Sequence, residues 1–202
     1  MMPVAIICGG MGTRLFPLTE DVPKSLVPVC GKPFIHHQLE LIKKKGVQNV
    51  VLCVGKFGEQ IETYVQDGSA WGLDVKYSYD GDEPLGTGGA VKKALPLLPE
   101  KFFVMYGDSY LDTNWFVVSA SRLYYMTKNL MTFYHGIDYG LEVLDKEMLD
   151  DFPLQQFDIW KFYDHATALG EMAKLRVSDP FYEVGSFDGI KKLEKHLCPK
   201  TM

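Results

Sequence analysis

Residues 4–28 read VAIICGGMGTRLFPLTEDVPKSLVP, and the interpretation of the whole chain starts from this stretch. Its first five residues are an apolar, β-branched run that stops at glycines, a pattern typical of a buried strand ending in a tight loop. Glycines allow backbone N–H groups to approach a ligand closely, which suits phosphate oxygens. The loop then adds Arg14, a planar fork of donors, and Lys24, a mobile point charge. We therefore interpret residues 9–28 as a phosphate-binding loop rather than a glycine turn with two surface cations.

The spacing of these glycines excludes two common phosphate-binding motifs. Gly9, Gly10 and Gly12 fit neither the P-loop pattern G-x-x-x-x-G-K-[ST] nor the dinucleotide pattern G-x-G-x-x-G, and no acid follows at the required strand end about 20 residues on. A second glycine segment, Leu85-Gly86-Thr87-Gly88-Gly89, precedes a predicted helix. Its N–H groups and the Thr87 hydroxyl could contact a base or a ribose, although such a segment is also typical of a capping turn.

Beyond the first loop, the first 110 residues alternate between strand and helix patterns. Strands are predicted at residues 4–8, 50–54, 75–79 and 102–106, and helices at 33–45, 59–65 and from 88 onward. This βαβ rhythm predicts one α/β domain over residues 1–202, with a mainly parallel sheet between two layers of helices. Ligands of such sheets bind beyond the carboxyl ends of the strands, where Gly9 and Asp108 both stand.

The second half of the chain has a less regular pattern. Helices are predicted at residues 115–126, 154–169 and 187–197, and strands at 131–134 and 140–144. Ser186 is a suitable N-cap for the last helix.

Composition limits the class of protein. The chain has 202 residues, a formal net charge of −5 and 47% hydrophobic residues, values of an ordinary globular domain. The acidic balance argues against a nucleic-acid partner, and no apolar run is long enough to cross a membrane. The four cysteines form no C-x-x-C pair, so we interpret them as reduced, buried thiols of a cytoplasmic protein. The cysteines and histidines show no zinc-ligand spacing.

Two acidic residues are candidate metal ligands. Asp108 follows a predicted buried strand, and Glu183 precedes the turn into the last helix. Carboxylates at such places suit a hard cation such as Mg²⁺, which phosphate chemistry usually recruits. Each residue alone would also fit a structural role, Asp108 as an N-cap and Glu183 on a surface strand.

The segment IDYGLEVL, residues 137–144, carries polar residues in an otherwise apolar strand pattern. Alternation places Asp138, Gly140 and Glu142 on one face of that strand. This face fits sugar hydroxyls and a solvated sheet edge equally well.

These motifs together resemble a known family. The patterns GGxGTRLxPLT at residues 9–19 and PKxLxPV at 23–29 are similar to the signature of the sugar-1-phosphate nucleotidylyltransferases. Further matches follow in the family's order: LGTGGA at 85–90, YGD at 106–108, IDYGLE at 137–142 and YEVGS at 182–186. The resemblance implies a Rossmann-like, three-layer αβα sandwich with a mixed, mainly parallel sheet.

The resemblance also implies a reaction in which a nucleoside triphosphate and a sugar 1-phosphate give a nucleotide-sugar and pyrophosphate. The sugar phosphate is already largely dianionic near pH 7, because its second pKa is about 6. The reaction therefore needs positioning and charge neutralisation rather than a covalent protein nucleophile. This requirement agrees with a site of glycine N–H groups, cations and acids.

By the same resemblance, Arg14, Lys24 and Asp108 are the implied catalytic residues. Arg14 would hold the departing pyrophosphate and Lys24 the sugar phosphate, while Asp108 and Glu183 would hold Mg²⁺. Many relatives have aspartate at the place of Glu183. The implied nucleotide contacts are Gly9, Gly10, Gly12, Thr13, Arg14, Leu85, Gly86, Thr87 and Gly88. The implied sugar contacts are Lys24, Asp138, Tyr139, Gly140 and Glu142.

The chain departs from the family between residues 136 and 137. Small relatives have a longer stretch there, with a Y-x-K segment whose lysine also meets the sugar phosphate. Here His135-Gly136 continues directly into Ile137, and we do not expect the flanking strands to need pairing as a hairpin. We expect that a flap of roughly 25–30 residues is absent from this sequence, by comparison with family length and usual loop sizes. The alternative is a genuine deletion that impairs activity.

The sequence indicates the substrates less directly than it indicates the fold and the reaction. The motifs look most like the heptose-1-phosphate guanylyltransferase type, with GTP and D-glycero-D-manno-heptose 1-phosphate as substrates. A uridylyl or thymidylyl enzyme and a mannose-1-phosphate guanylyltransferase are the alternatives, because base choice rests on a few loop hydrogen bonds. A nucleotide-sugar-binding regulatory relative is the non-enzyme alternative, although such a protein should lose its charged site residues. Relatives are often dimers or larger, so a homo-oligomer is possible.

Overall fold

The computed structural model describes residues 1–10, 12–125 and 127–199. The strands are β1 (Val4–Ile7), β2 (Pro28–Val29), β3 (Lys32–Pro33), β4 (Asn49–Val54), β5 (Asp74–Tyr79), β6 (Lys101–Tyr106), β7 (Ser109–Tyr110), β8 (Asn129–Tyr134), β9 (Ile137–Asp138), β10 (Leu141–Asp145), β11 (Met172–Arg176) and β12 (Tyr182–Glu183). The helices are α1 (Phe34–Lys44), α2 (Gly58–Val65), α3 (Gly86–Lys93), α4 (Trp115–Tyr125), α5 (Lys146–Asp150), α6 (Ile159–Ala168) and α7 (Phe187–Leu197).

The central sheet is mixed and mainly parallel, as the sequence predicts. Its strand order is β11-β8-β10-β6-β1-β4-β5, and β9 pairs with β8. Only β9 and β10 run against the other strands of this sheet. The carboxyl ends of β1, β4, β5, β6, β8 and β11 therefore meet at one edge, where a ligand is expected.

Helices cover both faces of the sheet and complete three layers. One core packs α1, α2 and α4 against the sheet through residues such as Leu39, Ile61 and Trp115. The other core packs α3, α5 and α6 through residues such as Val91 and Phe162. Among the described residues, no helix has the length and apolarity that crossing a membrane requires.

The last helix belongs to a third, smaller core beside the first loop. On α7, Ile190 and Leu193 pack with Leu15 and Val27 of that loop. Ser186 is the N-cap, as predicted, since its Oγ accepts a hydrogen bond from the Gly189 N–H at 3.0 Å. Helix α7 therefore attaches the C-terminal part of the chain to the first loop.

Several parts of the second half differ from the sequence prediction. The helix predicted from residue 154 begins only at Ile159, because the Phe157 N–H and carbonyl instead bond to the Leu85 carbonyl and the Gly88 N–H beside α3. Strand β11 and helix α5 lack a clear periodic signal and were not predicted. Met126, the last residue of another predicted helix, lies outside the described residues.

Strands β8 and β9 pair as a tight hairpin, a pairing that the sequence analysis did not require. His135 and Gly136 form its two-residue turn, with φ of 49° and 84°. Two successive positive φ values are the geometry that matches the twist of paired strands. The absent flap stays a prediction, and an intact mass near 22.9 kDa for the natural protein would contradict it.

The prediction of four reduced cysteines is wrong for two of them. Cys8 and Cys53 are free and buried, but Cys30 and Cys198 form a disulfide across 168 residues. The fold brings the pair together because α7 ends beside the turn between β2 and β3. The Cys30 N–H also donates to Glu194 on α7 at 3.3 Å.

Candidate active site

The loops after β1 and β6 lie against each other at the carboxyl edge of the sheet. The Gly107 N–H donates to the Ile7 carbonyl at 3.0 Å. A Cβ at position 107 would lie 2.5 Å from that oxygen, so only glycine allows the two strand ends to approach. A cleft opens above them, lined by Ile7, Cys8, Gly10, Lys24, Ser25, Thr87, Tyr106, Gly107 and Asp108.

The first loop is folded by its own side chains. Gly12 has a φ of 65°, a conformation that favours glycine, and its carbonyl accepts a hydrogen bond from the Thr19 hydroxyl at 2.7 Å. Leu15 is fully buried and anchors the short turn Thr13–Leu15. Between these anchors Arg14 remains exposed at the surface of the site.

Lys24 forms an ion pair with Asp108 across the cleft. The distance from Lys24 Nζ to Asp108 Oδ2 is 2.8 Å, and the side chains are 16% and 26% exposed. The ammonium group has three donors, so it can bind a phosphate oxygen as well as this carboxylate. The neighbouring Ser25 Oγ is buried, lacks a hydrogen-bond partner among the described residues and also lines the cleft.

Asp108 is held by backbone contacts on both sides. Gln38 of α1 is buried and donates to the Tyr106 carbonyl at 3.3 Å and the Ser109 carbonyl at 2.8 Å. The Asp108 carbonyl accepts from the Val184 N–H at 2.9 Å. The sequence-based prediction missed Gln38, and the available signal was an amide on an otherwise apolar helix face.

Gly185 marks the point where three charged side chains meet. A Cβ built there would lie 2.7 Å from Glu183 Oε2, 3.2 Å from Arg14 Nη2 and 3.4 Å from Asp108 Oδ2. Glu183 also accepts a hydrogen bond from the Ser186 hydroxyl at 2.6 Å and one from the Gly185 N–H. The fold therefore gathers Arg14, Asp108 and Glu183, which are far apart in the sequence, around one glycine.

The second glycine segment is largely engaged within the protein. The Gly88 and Gly89 N–H groups donate to the Phe157 carbonyl at 2.9 and 3.2 Å. The Thr87 Oγ accepts from the Ile159 N–H at 2.8 Å, which leaves its own O–H free to donate into the cleft. Contact of this segment with a nucleotide stays a prediction.

Four of the five residues predicted to contact the sugar lie in the segment 138–142, and these are mostly inside the protein. Tyr139 is 1% exposed, Glu142 is 0% exposed, and Gly140 is also buried. Asp138 alone among the four is half-buried. A solvated edge is therefore excluded for Glu142, and sugar contact by this segment stays a prediction.

Comparison with known protein families identifies the family to which this chain belongs. The Nucleotidyl transferase family matches residues 4–130, well over half of the chain. The chain belongs to the nucleotidyl transferase family. The matched region contains Arg14, Lys24 and Asp108.

Curated nucleotidyl transferases are similar to part of the chain. A D-glycero-α-D-manno-heptose 1-phosphate guanylyltransferase from Campylobacter jejuni is 40% identical over 111 residues, which is 55% of this chain and 49% of that protein. An N-acetylmuramate α-1-phosphate uridylyltransferase from Neisseria meningitidis is 39% identical over 112 residues, 55% of this chain and 48% of that protein. The match spans about half the length of these relatives.

A solved structure supports the fold over nearly the whole chain. HddC from Yersinia pseudotuberculosis superimposes with a TM-score of 0.86 at 24% sequence identity, covering 98% of this chain and all of that chain. At this identity, the likeness establishes the fold alone.

The donor set of this nucleotidyl transferase fits magnesium better than zinc. The described residues contain no group of three or more histidine, cysteine, aspartate or glutamate side chains placed to hold a metal. Two carboxylates, Asp108 and Glu183, do converge near Gly185. Mg²⁺ in phosphate chemistry typically takes one or two carboxylates and completes its shell with substrate oxygens and water, so two suffice.

Proposed function

We propose that the protein transfers a nucleoside monophosphate from a nucleoside triphosphate to a sugar 1-phosphate and releases pyrophosphate. The observation that carries the proposal is the convergence of Arg14, Asp108 and Glu183 around Gly185, with Lys24 bound to Asp108. Two cations and two acids beside a glycine loop suit a reaction between two phosphorylated substrates.

Each charged residue has a distinct proposed role. Arg14 is exposed and planar, so it can bind the departing pyrophosphate through two donors at once. Lys24 binds the sugar phosphate and aligns it for attack on the α-phosphorus. Asp108 and Glu183 would hold Mg²⁺, which supplies charge neutralisation between the substrates when bound.

The preferred substrates are GTP and D-glycero-D-manno-heptose 1-phosphate. Two of the relatives are named as guanylyltransferases for that sugar, at 40% and 38% identity. Uridylyltransferases and mannose-1-phosphate guanylyltransferases are similar over the same share of the chain, so these are the alternative specificities.

A matrix of substrates tests the proposal. Pyrophosphate release is measured for five nucleoside triphosphates against heptose, mannose, glucose and N-acetylmuramate 1-phosphates, with Mg²⁺ and with EDTA. We expect the highest turnover with GTP and heptose 1-phosphate, and none with EDTA. Absence of turnover for every pair, with retained binding of a nucleotide-sugar, would instead indicate a regulatory binding protein.

A further inference from the structure

Glu142 is the buried member of a second acidic group, separate from Asp108 and Glu183. It lies on β10 between β6 and β8 and is 0% exposed. The Tyr163 hydroxyl of α6 donates to Glu142 Oε2 at 3.3 Å. Glu142 Oε1 is buried and has no hydrogen-bond partner among the described residues.

The titratable groups around Glu142 come from three other elements. Asp138 of β9 is in direct contact with it, Tyr163 faces it from α6, and Tyr106 faces it from β6. None of the ion pairs found in the described part of the chain includes Glu142. The surrounding groups therefore offer no positive charge to a Glu142 carboxylate.

A proton on Glu142 supplies the hydrogen-bond donor that the Glu142–Asp138 pair lacks. Burial raises the pKa of Glu142 well above its usual value, and the nearby charge of Asp138 raises it further. A neutral carboxyl group has an O–H donor, whereas two carboxylates side by side have only acceptors. Protonation thus gives the Glu142 carboxyl group a donor, which it can share with the neighbouring Asp138.

Asp138 is fixed from two further directions. The Gly140 N–H donates to Asp138 Oδ1 at 3.0 Å, and the Tyr106 hydroxyl bonds to the same carboxylate. Tyr106 also lines the cleft that contains Asp108. Asp138 is thereby a half-buried carboxylate on β9, which pairs with β8, and the cleft-lining residue Tyr106 lies beside it.

We propose that Glu142 stays protonated and acts as a positioning residue, donating a hydrogen bond that fixes Asp138 as an acceptor for a hydroxyl of the sugar substrate. The sugar part of this statement rests on the proposed function. The proton-sharing pair does not, because it follows from burial and contacts alone. Glu142 itself does not reach the cleft, since none of its surface is exposed.

The first test measures the protonation state of Glu142 and does not depend on enzyme activity. Protein labelled with ¹³C at the glutamate carboxyl carbons is titrated by NMR, and Glu142→Gln assigns the signal. We expect the Glu142 signal to be that of a protonated carboxyl at pH 7, whereas an ordinary glutamate ionises near pH 4.3. An ionised signal at pH 7 would overturn the proposal.

The second test separates positioning from a merely structural role. Glu142→Leu removes the donor, and we expect the KM for the sugar 1-phosphate to rise about tenfold with the KM for the nucleotide unchanged. Glu142→Gln, whose amide N–H can donate to Asp138, should restore most of that loss. In an Asp138→Asn background, Glu142→Leu should add little, because its effect passes through Asp138.

Two outcomes of the kinetic test would overturn the sugar role. One is an equal change in both KM values, and the other is full additivity of the two substitutions. A wild-type protein that turns over no sugar 1-phosphate, but shows a protonated Glu142, would overturn the proposed function and confirm the proton-sharing pair. The two failures are therefore distinguishable.

Discussion

Two pairs of acidic side chains lie near the same end of the sheet, and their surroundings are opposite in kind. Asp108 lines the open cleft with Lys24 bound to it, and Glu183 and Arg14 meet it around Gly185. Asp138 and Glu142 face tyrosines, and Glu142 is completely buried. The first pair has the proposed role of serving phosphates and a cation, while for the second pair we propose neutralisation by a proton. Carboxyl side chains that look alike in the sequence therefore differ in their surroundings because they are buried to different extents.

The largest expected effect on turnover comes from removing the negative charge of Asp108. Asp108→Asn should lower turnover by about 100-fold or more, because one metal-binding carboxylate and the partner of Lys24 are lost together. Pyrophosphate release as a function of Mg²⁺ concentration measures this loss. Asp112→Asn is the matched control, since Asp112 pairs with Lys45. Turnover of Asp108→Asn at the wild-type rate would contradict the assigned role.

The second effect concerns the disulfide that attaches the end of α7 to the turn between β2 and β3. Reduction of the Cys30–Cys198 disulfide should lower the free energy of unfolding by about 2–4 kcal/mol, because a long loop is released in the unfolded chain. Urea denaturation with and without dithiothreitol measures the change. Cys198→Ser should not respond to dithiothreitol, and an equal response in that variant would exclude the disulfide as the cause.

A smaller effect on turnover is expected at the point where the cleft charges meet. Gly185→Ala places a methyl group among Glu183, Arg14 and Asp108, and we expect turnover to fall by about 10- to 100-fold. Gly185 has no positive φ, so the substitution changes space rather than backbone conformation. The free energy of unfolding of Gly185→Ala, measured by urea denaturation, is the control for folding. Wild-type turnover in a folded Gly185→Ala protein would contradict the steric explanation.

The first half of the molecule could be predicted from sequence because its signals are local. Strand β1, helix α1 and strand β6 each have apolar runs bounded by glycine or proline, and their observed bounds differ from the predicted ones by one residue or so. The family motif also indicated Asp108 and Glu183 as partners, and the structure places both beside Gly185. Their assigned roles are part of the proposed function.

The second half depends on contacts between distant residues, which a local pattern does not contain. The late start of α6 follows from a loop that packs on α3, and the Cys30–Cys198 pair requires two ends of the fold to meet. Glu142 is the clearest case. Alternation put Glu142 on one face with Asp138 and Gly140, but the complete burial of Glu142 depends on β8, β6 and α6 together.

The last prediction tests the buried pair through the dependence of the free energy of unfolding on pH. Because the folded-state pKa of Glu142 is raised, the folded protein keeps a proton that the unfolded chain releases above about pH 4.3. Its contribution to stability is therefore full in acid and declines as the pH rises toward the folded-state pKa, by about 1.4 kcal/mol per pH unit. Glu142→Gln does not ionise, so the variant should gain stability relative to the wild type between pH 4.5 and pH 7. Urea denaturation at several pH values measures the difference, with Glu147→Gln on the exposed side of α5 as the control. A constant difference across this range would mean that Glu142 ionises alike in both states, and the contrast between the two acidic pairs would then be wrong.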